Sequence, residues 1–243
     1  MTDPVVLVVW DGSQGAQGAL PVAQRLAELT QAPLRTLHLT EAAGPAAAEL
    51  RGAGLIVMCA QVAGAQAGDS IGDAALAVLR AAACPVVLVN PSHALGAWDL
   101  KRILAPHDGS PGVSDALGPA AELAHEAGAE MVVLQVAHDT RAMETGSMAP
   151  PMYVDQLQHS WPAWSEEFLA RLGCVCPLAD IQVRLLVRHG HPADEILHVA
   201  TEESADLIVL AWKGRWEAPH AATLKAVLQR APCPVMVTRV PAA

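Results

Sequence analysis

Two apolar runs of this chain end in the same three polar residues. Residues 5–10 (VVLVVW) are followed by Asp-Gly-Ser at 11–13, and residues 102–106 (RILAP) by His107 and then Asp-Gly-Ser at 108–110. A short apolar run bounded by turn residues is typical of a buried strand, and Asp and Gly favour tight turns. The pattern therefore predicts, twice, a strand that ends in a turn.

Two later segments are also repeated, in the same order. GLIVMCAQ (54–61) is similar to DLIVLAWK (206–213), and AACPVVLVN (82–90) is similar to APCPVMVTR (231–239). Ordered matches of this kind indicate an internal duplication, and Pro, Gly and Ser cluster at the join, in NPSHALGAWD. We therefore expect two similar domains, at residues 1–95 and 98–243.

Strand-like and helix-like patterns alternate along the second copy, which predicts a parallel sheet with helices on both faces. Its predicted strands are 102–106, 130–137, 181–187, 206–212 and 234–240, and its predicted helices are 112–128, 153–172, 192–204 and 223–230. The first copy retains predicted strands near 4–10, 33–40, 54–60 and 85–90, with a shorter helix near 45–52.

Composition excludes several classes of protein. The chain has 15 basic and 25 acidic residues, and the basic residues form no patch or stripe of the kind that nucleic-acid binders carry. No stretch reaches the roughly 18 uninterrupted apolar residues of a membrane span, and MTDPVV does not resemble a secretory signal. We expect a cytoplasmic protein with no nucleic-acid or membrane partner.

The five cysteines do not predict a metal site. Cys84 and Cys233 precede strand-like runs in matching contexts, and we expect them in the core as thiols. Cys174 and Cys176 offer two thiolates, but a structural zinc site takes four ligands and the chain has no second pair.

Four segments together resemble the universal stress protein family over nearly the whole chain. They are PHDGS (106–110), GHPADEI (190–196), ESADLIVLAWKG (203–214) and RAPCPVMVTR (230–239). The resemblance implies an α/β fold of two tandem Rossmann-like parallel-sheet domains, each with strand order 3-2-1-4-5. Tandem members of the family pair their domains through the last strands. The shortened first domain is expected to lack the third strand.

The resemblance also implies a site for adenine nucleotide. ATP-binding members carry a Gly-x2-Gly-x9-Gly-Ser/Thr loop after the fourth strand, where backbone N–H groups and a hydroxyl reach the phosphates. Neither copy retains the whole loop. In the first copy Cys59 and Val62 replace two glycines, and Asp73 follows Gly72 in place of the hydroxyl residue. In the second copy Ala211 replaces the first glycine.

The second domain retains more of the motif, so we expect any ATP or ADP there. Gly214 matches the second glycine, Ala221 and Ala222 replace the final Gly-Ser in a shortened loop, and Lys213, Arg215 and Lys225 offer positive charge. No metal is predicted beyond Mg²⁺ accompanying the nucleotide. The predicted binding residues are Pro106, Asp108, Gly109, Val136, Lys213, Gly214, Ala221 and Ala222.

Functions of different classes stay open. One is a stress-response protein with a degenerate nucleotide site, and the other is a nucleotide-free pseudo-dimer that binds other proteins. A hydrolase is least favoured, because no nucleophile motif emerges and His107 is expected in the core or a loop. Trp10 and Trp212 flank the two clefts and either stack on a base or fill an empty cleft. A homodimer of the tandem chain is expected, because the missing strand uncovers apolar surface.

Overall fold

A computed structural model describes residues 5–10, 14–39, 43–60, 71–90, 96–108, 111–137, 170, 173–174, 180–217 and 221–240. The strands are β1 (Val6–Trp10), β2 (Leu34–His38), β3 (Leu55–Cys59), β4 (Val86–Val89), β5 (Arg102–Pro106), β6 (Glu130–Ala137), β7 (Val183–His189), β8 (Leu207–Trp212) and β9 (Val235–Arg239). The helices are α1 (Leu20–Leu29), α2 (Ala43–Gly52), α3 (Asp73–Ala81), α4 (Pro111–Ala116), α5 (Gly118–Ala127), α6 (Pro192–Glu202) and α7 (Ala221–Arg230).

The predicted strands are all confirmed, and one predicted helix differs. The helix expected at 112–128 is divided at Leu117 into α4 and α5. Pro119 lies in the first turn of α5, where backbone N–H groups have no partner within the helix, so its missing N–H costs no hydrogen bond. In one continuous helix it would interrupt the backbone hydrogen bonds. Gly128 ends α5 in the left-handed conformation, at φ 63°. The helix predicted at 153–172 lies almost entirely outside the described residues.

The described strands form one nine-stranded sheet in the order β2-β1-β3-β4-β9-β8-β5-β6-β7. We call β1–β4 the first half and β5–β9 the second half. The second half has the predicted order 3-2-1-4-5, and the first half has the same order without the third strand. The predicted fold class is therefore confirmed, including the truncation.

The two halves are joined by the only antiparallel pair among the described strands, β4 with β9. Val86 lies opposite Val237, and Leu88 opposite Val235, all of them fully buried. The last strands therefore meet as predicted. Their pairing makes the sheet continuous from β1 to β5, so the halves are not separate sheets. The exact domain bounds, 1–95 and 98–243, stay a prediction.

The core has two layers, and each extends across both halves. Side chains alternate along a strand, so Ile56 and Ile208 lie in the layer under α3, α6 and α7, while Val57 and Val209 lie in the layer under α1 and α5. Strands buried on both faces are nearly continuous in apolar residues, which explains the unbroken runs in the sequence. No helix in the described part of the chain could span a bilayer.

The connection between the halves is held by polar contacts. The indole Nε1 of Trp98 donates to the carbonyl of Asp206 at 3.1 Å, and the carboxylate of Asp206 accepts from the backbone N–H groups of Lys101 and Arg102, each at 2.9 Å. Arg25, on α1, donates to Asp99 at 3.1 Å. These bonds fix the start of β5 beside β8 and against the first half.

Four charged side chains form a network at the amino edge of the second half. Glu130 accepts from Arg102 at 2.7 Å and from Arg184 at 2.9 Å, and Arg184 also donates to the Glu203 carboxylate at 2.5 Å and 3.1 Å. The bond from Arg184, and after it the bond from Arg102, holds the pKa of Glu130 below its usual value. The network ties three strands to the end of α6.

We expect Glu130→Gln to lower the free energy of unfolding by about 1–3 kcal/mol, because hydrogen bonds to charged groups contribute that much. Urea denaturation at pH 7 measures it. The difference in stability between the two proteins should fade as the pH is lowered through the depressed pKa of Glu130, because the wild-type carboxylate is then protonated and also loses its negative charge. The control is Glu202→Gln, which breaks an exposed pair with Arg188 and should cost less than about 1 kcal/mol. Equal losses in both variants would contradict the prediction.

Candidate functional site

Strand order reverses between β5 and β8. β5 pairs with β6 on one side and with β8 on the other, although β8 is remote in sequence. The crevice outside the carboxyl ends at such a reversal is where ligands bind in open parallel sheets. The candidate site is therefore the carboxyl edge of β5, β6, β8 and β9, which all run in the same direction.

Sheet register brings several predicted residues to one level of this edge. Pro106 lies opposite Leu134, and the bond from the N–H of His107 to the carbonyl of Leu134 (2.8 Å) continues the ladder toward Asp108 and Val136. Across the reversal, Leu104 lies opposite Ile208, four residues before Asp108 and Trp212 respectively. Trp212 lies opposite Arg239. The same register, extended past the last paired residues of β5, predicts Val136, Asp108, Trp212 and Arg239 at one level of the edge.

His107 holds the end of β5 against α4. Its side chain is buried, and its Nε2 lies 2.9 Å from the hydroxyl oxygen of Ser114, with which it shares a hydrogen bond. Burial lowers the pKa of His107, and the nearby charge of Asp108 opposes that shift only in part. His107 is thus a neutral core residue, as expected, and its contact sets the position of the exposed Asp108.

After β8 the chain forms a tight loop at residues 213–217. Gly214 has φ 78°, in the left-handed region that favours glycine. Trp216 is buried and packs edge-on against Trp212, with ring centroids 6.4 Å apart, and the ammonium of Lys225 lies 5.0 Å from the Trp216 ring centroid. Lys213 and Arg215 are exposed. The loop therefore presents positive charge above an aromatic core.

Trp212 is closed off from solvent. It is 4% exposed and belongs to the hydrophobic core, which favours filling of the cleft over an open stacking surface. Its indole N–H is buried and has no hydrogen-bond partner among the described residues. Trp10 is half-buried beside His38, with ring centroids 6.2 Å apart.

The remaining predicted residues lie at the beginning of α7, the helix that follows β8. Ala221 is buried and Ala222 is exposed, and neither of these two side chains carries a hydroxyl. Gly109 lies outside the described residues. The structure thus brings Pro106, Asp108, Val136, Lys213 and Gly214 to one edge, with Ala221 and Ala222 at the start of the next helix.

The corresponding edge of the first half is less suited to an anion. Cys59 is buried at the end of β3, and Asp73 is exposed in the first turn of α3. A carboxylate there stabilises the helix but repels a phosphate. Asp11 and Val62 lie outside the described residues. Since β4 and β9 are antiparallel, this edge is on the opposite side of the sheet from the candidate site.

The sequence did not point to three residues that meet at the 213–217 loop, namely Arg80, Glu217 and Arg239. Arg80, at the end of α3 in the first half, pairs with Glu217 at 3.0 Å, and Arg239 donates to the carbonyl of Arg80 at 3.2 Å. Residues from the two halves therefore meet beside the candidate site. The only sequence signal was the repeat that pairs the last strands.

The described residues contain no group of three or more His, Cys, Asp or Glu side chains able to hold a metal ion. The four described cysteines form no disulfide, and burial raises the pKa of Cys84 to about 11 and that of Cys233 to about 12. Both therefore behave as core thiols, as predicted.

The model of the universal stress protein family matches residues 99–239, which include the whole candidate site. The chain belongs to the universal stress protein family. Among curated relatives, the universal stress protein YxiE of Bacillus subtilis is 28% identical over 145 residues, which are 57% of this chain and 98% of YxiE. The match therefore covers little more than half of this chain.

Solved structures share the fold over both halves of this universal stress protein. A protein of unknown function from Pseudomonas aeruginosa is 19% identical with a TM-score of 0.67, covering 98% of this chain and 93% of that one. A universal stress protein from Archaeoglobus fulgidus is 17% identical with a TM-score of 0.61, covering 98% and 96%. At these identities the likeness shows the fold alone.

We expect His107 to make the protein less stable in mild acid. Because its pKa is lowered in the folded state, unfolded chains take up a proton first as the pH falls below about 6.5. Stability is then lost until the pH reaches the lowered pKa. Thermal unfolding of wild type and His107→Gln between pH 7.5 and 5 should show a smaller loss in the variant. The exposed His125→Gln should keep the wild-type loss, and identical pH profiles for all three would refute this role.

Proposed function

We propose that this universal stress protein binds an adenine nucleotide, ATP or ADP, at the carboxyl edge of the second half. The observation that carries the proposal is the juxtaposition of an exposed carboxylate, Asp108, with the exposed cations of the 213–217 loop across the strand reversal. One end of that crevice suits hydroxyl and amino donors, and the other suits phosphates. No reaction is part of the proposal.

Asp108 would hold the nucleoside. An ionised carboxylate only accepts hydrogen bonds, so it suits the ribose hydroxyls and repels the phosphates. Val136, half-buried at the same level on β6, would offer an apolar surface to the base, and Gly109 would allow a close turn beside it.

The phosphates would lie at the 213–217 loop and the start of α7. Lys213 and Arg215 supply positive charge, and the backbone N–H groups at the start of a helix attract anions. Ala221 and Ala222 supply no hydroxyl, so we expect weaker binding than in a family member with the full loop. Mg²⁺ would enter with the nucleotide.

A second candidate is a nucleotide-free module that binds other proteins. The burial of Trp212 and Trp216 favours it, because neither indole offers an open face on which a base could stack. A cytoplasmic location stays part of both proposals, and it agrees with the absence of a disulfide among the four described cysteines.

Calorimetric titration of ATP into the wild type and into Asp108→Ala tests the nucleotide proposal. Loss of a charged acceptor should weaken binding about tenfold to a hundredfold. Asp11→Ala is the matched control, since it changes the same motif in the first half, and it should bind like the wild type. Binding lost only in Asp11→Ala would place the site in the wrong half, and no heat with the wild type would leave the protein-binding candidate.

We also propose a homodimer. In the second half, the outer edge of the second strand, β6, is covered by β7. In the first half, the outer edge of the second strand, β2, has no partner among the described strands. A groove beside that edge is lined by Ala27, Ala32 and Leu34 together with three polar residues. Ala27 is buried, and Ala32 and Leu34 are half-buried, so the proposal rests on the unpaired strand edge, which can pair with another chain.

Light scattering at micromolar concentration should give twice the 25.3 kDa mass of the chain. Leu34→Lys should shift the mass toward the monomer, because it places a charge in the groove. Gln182→Lys adds the same charge at the far end of the sheet, beside β7, and should leave the mass unchanged. A monomeric wild type would refute the dimer.

A further inference from the structure

The guanidinium of Arg239 lies close to Gly214. A Cβ atom built on Gly214 would lie 3.4 Å from both Nε and Nη2 of Arg239 and 3.7 Å from Cζ, which are ordinary van der Waals contacts. Because Gly214 has no side chain, the 213–217 loop can lie close beside the Nε–Nη2 edge of the guanidinium. That edge is the one that binds phosphate or carboxylate through two parallel hydrogen bonds.

The first half holds this guanidinium in place. The Nη1 atom of Arg239 donates to the backbone carbonyl of Arg80 at 3.2 Å, and no other hydrogen bond of the Arg239 side chain is formed within the described residues. The Nε–Nη2 edge is therefore left without an acceptor. A pre-oriented fork of this kind loses little entropy when it binds an anion.

The surroundings favour a negatively charged ligand. Lys213 and Arg215 are exposed on the same loop, and the carboxylate of Glu217, at the end of the loop, is engaged by Arg80 at 3.0 Å. The loop therefore carries two cations and one carboxylate, and that carboxylate is paired.

We propose that Arg239 binds the phosphate end of the ligand, offering its Nε–Nη2 edge to two oxygens of one phosphate beside the 213–217 loop, and that the first half positions it through the carbonyl of Arg80. The inference rests on the proposed function for the identity of the ligand only. It assigns the truncated half a role: an internal support for the site in the other half. Arg239 then replaces part of what the missing Gly-Ser donors would supply.

Three variants test the assignment, with inorganic tripolyphosphate, ATP and adenosine as probes in calorimetry at fixed ionic strength. Arg239→Gln removes the guanidinium, and Arg239→Lys keeps the charge without the two-pronged guanidinium edge. Gly214→Asn introduces a residue that tolerates positive φ and places a side chain against the guanidinium. Arg51→Gln, exposed on α2, is the charge-matched control. Unfolding curves verify that each variant is folded.

We expect Arg239→Gln and Gly214→Asn to weaken tripolyphosphate and ATP binding about tenfold to a hundredfold, with Arg239→Lys intermediate. Arg51→Gln should bind both like the wild type, and adenosine binding should not respond to Arg239. Failure of the wild type to bind tripolyphosphate, or equal affinity in wild type and Arg239→Gln, overturns the inference.

The two proposals fail separately. ATP binding that depends on Asp108 but not on Arg239 overturns the role of Arg239 and leaves the nucleotide proposal intact. Tripolyphosphate binding that depends on Arg239, with no added affinity for ATP and no effect of Asp108→Ala, supports the anion site and overturns the nucleotide. Binding of neither probe overturns both.

Discussion

The antiparallel pairing of β4 with β9 is the interaction on which the rest of this structure depends. Six fully buried side chains meet along it, three from each strand: Val86, Val87, Leu88, Val235, Met236 and Val237. The pairing removes two sheet edges that would otherwise be exposed to other chains. It also reverses strand direction at the centre of the molecule, so the carboxyl edges of the two halves lie on opposite sides.

That reversal determines which residues meet around the candidate site. The residues before β4 come to lie beside the end of β9, which is why Arg80 of the first half contacts Arg239 and Glu217 of the second. The first half has a carboxylate, Asp73, where an anion would lie, yet its packing contributes to the site opposite. A degenerate repeat can thus remain structurally necessary through its position in the shared sheet.

The second half keeps its stabilising charges apart from its candidate site. Glu130, Arg184 and their partners lie at the amino edge, where their charges are compensated within the network. At the carboxyl edge the side chains of Asp108, Lys213 and Arg215 are exposed. The buried His107 connects the two requirements, because a neutral imidazole can anchor the strand end in the core without an uncompensated charge.

The order of elements and the truncation could be read from sequence, because strand periodicity and ordered repeats are local properties of the chain. The motif also placed Asp108 and Gly214 at the ends of their strands. The division of the 112–128 helix was missed because a proline interrupts a helix in its interior but is accepted in its first turn. Which of the two applies to Pro119 depends on where the helix begins. Only the tertiary structure decided the contacts of Arg80 and Arg239, the burial of Trp212 and the position of the Arg239 guanidinium beside Gly214. The physical reason is that these depend on strand register and on antiparallel pairing between halves, which join residues far apart in sequence.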